Sequence, residues 1–184
     1  LGDALVGAHC WSLPGRPSVC SVYGRLFGCC ALVAAVHESE AAASRPLAWA
    51  TGQFISHARP PEVVHFDVDV MQSGGRTTQV RVRGHVDDRE VIGVMAALGG
   101  ADFPESGRWV EMPEVPPPDE CPPRQNPHAH TTIASQLDQR LARGRMGEDA
   151  PVMPDGRSAM WTRVPRAAAD VSSHRVDAAV LAAL

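Results

Sequence analysis

The chain has 184 residues, 44% hydrophobic and 21% charged, which places it among globular proteins with enough length for one domain or one and a half. Its formal charge is -4 and it has no Lys, so all 17 basic residues are Arg. No basic stripe interleaved with aromatics argues for nucleic acid, and no apolar run reaches the ~20 residues of a membrane-spanning helix, so neither partner is expected.

Residues 4–12 form a short apolar-rich stretch that reads as a strand, and "LPGRPS" (13–18) is a turn cluster. "VYGRLFGCCALVAAV" (22–36) has one charge, Arg25, and reads as a helix capped by Ser21. Glu38 and Glu40 oppose the dipole at a helix C-terminus, so the helix is expected to end near His37. "LAWATGQFIS" (47–56) is strand-like. "VVHFDVDVM" (63–71) alternates strictly, with Val64, Phe66, Val68 and Val70 on one face and His65, Asp67 and Asp69 on the other. After the "SGG" turn, "RTTQVRVRGHV" (76–86) alternates again, with Val80 and Val82 inward. "DDR" turns the chain into the more uniformly apolar "EVIGVMAALG" (90–99), a central strand, and the three strands predict an antiparallel meander.

Residues 103–130 are Pro-rich and aperiodic, as an interdomain linker would be. "TIASQLDQRLARG" (132–144) is ambiguous between helix and strand, "SAMWTRVP" (158–165) is strand-like, and "VDAAVLAAL" (176–184) is apolar and helical in pattern. The order of 132–184 roughly repeats that of 4–37, which predicts a weak internal repeat with an incomplete second copy. The five cysteines (Cys10, Cys20, Cys29, Cys30, Cys121) show no metal-ligand spacing, which suits buried free thiols in a reducing compartment. With no signal-peptide pattern at the start, the expected compartment is the cytoplasm. Arg without Lys, beside abundant Ala, Pro and Gly, fits high-GC coding bias.

A short strand, an apolar helix and a run of antiparallel strands bury that helix best if the sheet curls around it, since each exposed Leu, Val or Phe forfeits ~1.5–3 kcal/mol. Gly24 and Gly28 would give the helix a smooth face for close approach of the sheet. The fold class is therefore α+β, an antiparallel sheet wrapped round a central helix.

In that setting "VYGRLFGCCALVAAVHES" and "QFISHARPPEVVHFDVDVMQSGGRTTQVRVRGHVDDREVIGVMAALG" resemble the central helix and strands of the TesB-like, double-hotdog acyl-CoA thioesterase II family. The resemblance covers residues 4–99 well and 131–184 thinly. It implies a first hotdog at 1–102, a linker at 103–130 and the start of a second hotdog at 131–184. It further implies hydrolysis of fatty acyl-CoA to free acid and CoA by carboxylate-activated water, with no cofactor. The family's catalytic Asp, with supporting Thr and Gln, belongs to the second hotdog, at a position falling just after Leu184. Arg25 stands where the family commonly has Gly.

In the first hotdog the position matching the acid falls at His37 and Glu38, which an ordinary helix-end pair also explains. Thr51 and Gln53 could donate hydrogen bonds to an oxyanion, or simply be polar residues on an outer strand face. The backbone at Tyr23 and Gly24 could face the oxyanion or CoA. Gly75, Arg76, Thr77 and Thr78 could lie along the CoA path with Arg76 near phosphates, or form a solvated turn. His128 and His130 suggest a metal only weakly, and no metal site is expected. Asp67 and Asp69 fit an outward polar face better than a catalytic pair. The competing function is a non-catalytic acyl-CoA-binding or assembly module. Because a bare sheet edge invites pairing, a homo-oligomer is expected.

Overall fold

The computed structural model describes residues 11–100, 107, 110–124, 131–144 and 155–165. The alternation over 63–86 forms the meander it predicts. Strands β3 (Val63–Ser73) and β4 (Thr77–Val86) pair antiparallel, and β4 pairs with β5 (Arg89–Gly99) across a tight turn at Asp87 and Asp88. Strand β2 (Leu47–Phe54) joins the far side of β5, and β1 (Trp11–Pro14) lies against β3, giving the order β1-β3-β4-β5-β2. The expected first strand thus extends through Leu13 and Pro14, into the segment read as a turn, while its residues 4–10 lie outside the described ones.

One face of the sheet is apolar because its inward rows are Val64 and Phe66, then Val80 and Val82, then Ile92, Val94, Ala96 and Leu98, all fully buried. Helix α1 (Gly28–Ala43) covers this face through Ala31, Ala35, Val36, Glu38 and Ser39. The helix is therefore packed against the sheet, and His37 and Ala41 on its other side are exposed. Cys30, Leu32 and Ala34 add half-buried contacts to the core.

Both expected helix ends move. The helix begins at Gly28 rather than Val22, because the residues before it close a turn. Ser21 N–H donates to Arg25 O at 2.8 Å and Gly24 N–H to Ser21 O at 3.0 Å. The Leu26 N–H then donates to Ala58 O at 2.8 Å and Phe27 N–H to Val19 O at 2.9 Å. Those donors are spent on tertiary partners, so no helical turn can start there, and Ser21 caps nothing. At the other end α1 continues to Ala43 and stops at Ser44, whose φ of 49° is left-handed. Glu40 is tolerated inside the last turn because its Oε1 accepts the Leu47 N–H of β2 at 2.7 Å. Gly24 lies in the turn and not on the helix; Gly28 alone acts as a spacer, since a Cβ there would lie 2.8 Å from Phe54 Cε1.

Gly99 ends β5 at φ +109°, and a Cβ would stand 2.3 Å from the Arg76 carbonyl oxygen. Gly99→Ala is expected to destabilise the fold by about 2–3 kcal/mol, combining left-handed strain with a backbone clash, read as a lower urea midpoint.

Beyond the sheet, "TIASQLDQRLARG" divides into a 3-10 turn at Ile133–Gln136 and strand β6 (Asp138–Arg143), which pairs antiparallel with β7 (Ala159–Arg163). The described part of the Pro-rich stretch runs along this hairpin. Arg124 N–H donates to Gln139 O at 2.7 Å, Leu141 N–H to Pro122 O at 3.1 Å and Trp161 Nε1–H to Pro116 O at 2.9 Å. Residues 176–184, Cys10, His128 and His130 lie outside the described residues. No helix among the described residues is long and apolar enough to cross a membrane.

Candidate active site

Helix α1 carries His37 and Glu38 into two different environments. The Glu38 side chain is 1% exposed and that of His37 is 58% exposed, with 3.3 Å between His37 Nδ1 and Glu38 Oε1. The His37 ring also packs on Trp11 of β1, centroids 5.2 Å apart. The second carboxylate oxygen, Glu38 Oε2, is buried without a hydrogen-bond partner. Burying a carboxylate oxygen that accepts nothing costs several times what a paired one does, so nothing about folding recommends Glu there. An orphaned buried acid of this kind is a candidate for a group kept for chemistry rather than for folding.

Thr51 and Gln53 do not meet this carboxylate. Gly52, between them, faces the helix, since a Cβ there would lie 3.3 Å from Leu32 Cδ1. Its neighbours therefore point to the opposite face of β2, and both are exposed. Gln53 lines an open groove of about 620 Å³ on that outer face, with Asp67, Asp69, Arg81 and Arg83. The two aspartates are cross-strand ion-pair partners there, Asp69 with Arg81 at 2.8 Å and Asp67 with Arg83 at 3.3 Å.

The turn residues are also apart from Glu38. Tyr23 is 83% exposed, and the Gly24 N–H is taken by Ser21 O. In the β3–β4 hairpin, Arg45 donates to the carbonyls of Gly74 and Gly75 at 2.9 and 3.4 Å. Arg76 and Thr77 follow at the exposed tip, whereas Thr78 is buried with its hydroxyl 3.4 Å from that of Ser73. A second cluster has no signal in the local sequence pattern: His57, Arg59, Glu62 and Arg89 are brought together by loop geometry alone.

The four described cysteines are free thiols. Burial, then the neighbouring Cys29 and Cys20, push the Cys30 thiol up to about 11. At pH 8 roughly one Cys30 in a thousand is thiolate, so iodoacetamide is expected to leave it unlabelled in the folded chain, with labelling appearing in urea and read by mass spectrometry.

No protein-family model and no curated protein sequence matches the chain. Solved structures do. A protein of Novosphingobium aromaticivorans, provisionally named a thioesterase, superposes with a TM-score of 0.77 at 27% identity, over 98% of this chain and 68% of its own. The acyl-CoA thioesterase II TesB2 of Mycobacterium marinum gives 0.58 at 19% identity, over 88% and 57%. A protein of unknown function with a hot dog fold, from Alicyclobacillus acidocaldarius, gives 0.62 at 20%, over 77% and 53%. The fold is a hotdog. This chain spans 53–68% of the length of those three proteins. Within the hotdog, α1 is the central helix, and Glu38 lies in its C-terminal half, against the sheet.

Proposed function

We propose that this chain belongs to a thioester hydrolase that cleaves fatty acyl-CoA to the free acid and CoA. The observation that carries this is Glu38, a buried carboxylate with one free oxygen on the central helix of a hotdog. In this role Glu38 takes a proton from water as the water oxygen bonds to the thioester carbonyl carbon. The C–S bond then breaks, and the sulfur leaves with that proton as the CoA thiol. His37, 3.3 Å from the carboxylate and open to solvent, is placed to exchange protons with it. Thr51 and Gln53 face away from Glu38, so the oxyanion needs other donors; the family that the chain resembles has its own catalytic Asp, with supporting Thr and Gln, in a second hotdog.

That same separation favours a second reading, a non-catalytic hotdog that binds acyl-CoA or serves assembly. A thiol-release assay of the full chain on short-, medium- and long-chain acyl-CoA separates the two. Release that Glu38→Gln abolishes supports the hydrolase. No release at any chain length, with CoA still bound, supports the binding module.

A further inference from the structure

Around the start of α1 the chain gathers more positive charge than its one nearby carboxylate, Glu62, offsets. The Leu26 N–H to Ala58 O bond, 2.8 Å, holds the Ser21–Arg25 turn against the loop that carries His57, Arg59 and Glu62. Arg89 reaches the same loop from β5, donating to His57 O at 2.6 Å, Ser56 Oγ at 3.1 Å and Glu62 Oε1 at 2.7 Å. Glu62 is fully committed: its other oxygen accepts the Arg59 N–H at 2.7 Å. That backbone bond, then Arg89, hold the Glu62 carboxyl below its ordinary range. Among the described residues, neither Arg25 nor Arg59 forms an ion pair. Three guanidiniums, Arg25, Arg59 and Arg89, therefore act on His57 beside one spent carboxylate, in a chain whose net charge is -4. His57 registers the excess: partial loss of hydration, then Arg25, Arg59 and Arg89, push its pKa below the usual histidine value.

Ser56, His57, Arg59, Glu62 and Arg89 line a cleft of about 350 Å³. We propose that this cleft binds a phosphate ester, the nucleotide end of the thioester substrate, through Arg25 and Arg59 with Arg89 fixed as the wall. Guanidinium forks match phosphate oxygens in geometry as well as charge, and uncommitted ones are what a ligand can use. Position supports the match. From the helix start at Gly28 to Glu38 is ten residues, about 15 Å of rise. That is the kind of span an extended phosphopantetheine arm covers, so phosphates in the cleft would let the thioester reach the carboxylate. Naming the ligand as CoA rests on the function proposed above; the anion site itself does not.

The test is titration calorimetry of the full chain with adenosine 3′,5′-bisphosphate, inorganic phosphate and pantetheine. The bisphosphate is expected to bind, and Arg25→Gln with Arg59→Gln to weaken it about tenfold or more, leaving pantetheine unchanged. Inorganic phosphate binding as tightly as the bisphosphate would make this a free-phosphate site and overturn the nucleotide assignment. Equal bisphosphate affinity in the double variant, or none in the wild type, would overturn the site. The His57 ring resonances give a second readout in the unaltered chain: they shift on adding the bisphosphate if the cleft is occupied, and stay fixed if it is not. Acyl-pantetheine, which lacks phosphates, keeps the two proposals apart. Its hydrolysis without bisphosphate binding sinks the cleft alone, and bisphosphate binding without any hydrolysis sinks the hydrolase alone.

Discussion

Glu38→Leu is expected to make the protein more stable and to end thioester hydrolysis. The physical reason is the orphaned Oε2. Removing a buried carboxylate whose solvation is not replaced, and filling its volume with methyl groups, is worth about 1–3 kcal/mol to the folded state. Losing the base costs ~10²–10⁴ in rate. A urea midpoint and a thiol-release rate on the same sample read both. A residue selected for stability would move the midpoint down, and retained hydrolysis would place the base elsewhere. Gain of stability with loss of rate is the combination that marks an acid kept for chemistry.

Phe66→Ala is expected to be the most damaging single core change, at about 3–5 kcal/mol. Phe66 is wholly buried, and it pairs in register with Gly84, where a Cβ would stand 3.0 Å from its ring. Gly84 has no side chain to swing into the hole, and Ile92 and Val64 are held by the sheet, so the site collapses little. The melting temperature should fall by roughly 10 °C in a chain of this size. A drop of only a degree or two would mean the helix settles into the vacancy.

Alternation is readable wherever strands are half-buried, which is why 63–86 predicts its pairing and its inward faces. It fails at β2 for a local reason. A register shift between Leu47 and Trp49 changes the parity, so Leu47 and Ala50 both turn toward the core and Thr51 and Gln53 away. The helix start misleads because composition is the only guide there. Val22 to Phe27 are as apolar as the body of the helix, and the turn they form depends on Ala58, over thirty residues away. Val70 shows the limit of pattern in the other direction. It alternates correctly but is 44% exposed; among the described residues β1 pairs only with Val63 to Phe66. Glu38 is visible as a candidate from position alone. Its burial is not, since that depends on the helix running past it for another turn.

The strand order also sets a schedule for synthesis. Helix α1 is complete at Ala43, yet β5, which carries the middle of its apolar platform and holds β2 in place, ends only at Gly99. At ~5–20 residues per second, a nascent chain presents that helix and the unpaired Trp49 and Phe54 of β2 for several seconds before their partner exists. The meander itself folds from adjacent segments and closes quickly, while β2 must wait and then reach back across the whole of it, Leu47 to Leu98. The vulnerable interval for this protein therefore precedes its fold: until β5 has emerged, the strand that pairs with β2 does not yet exist.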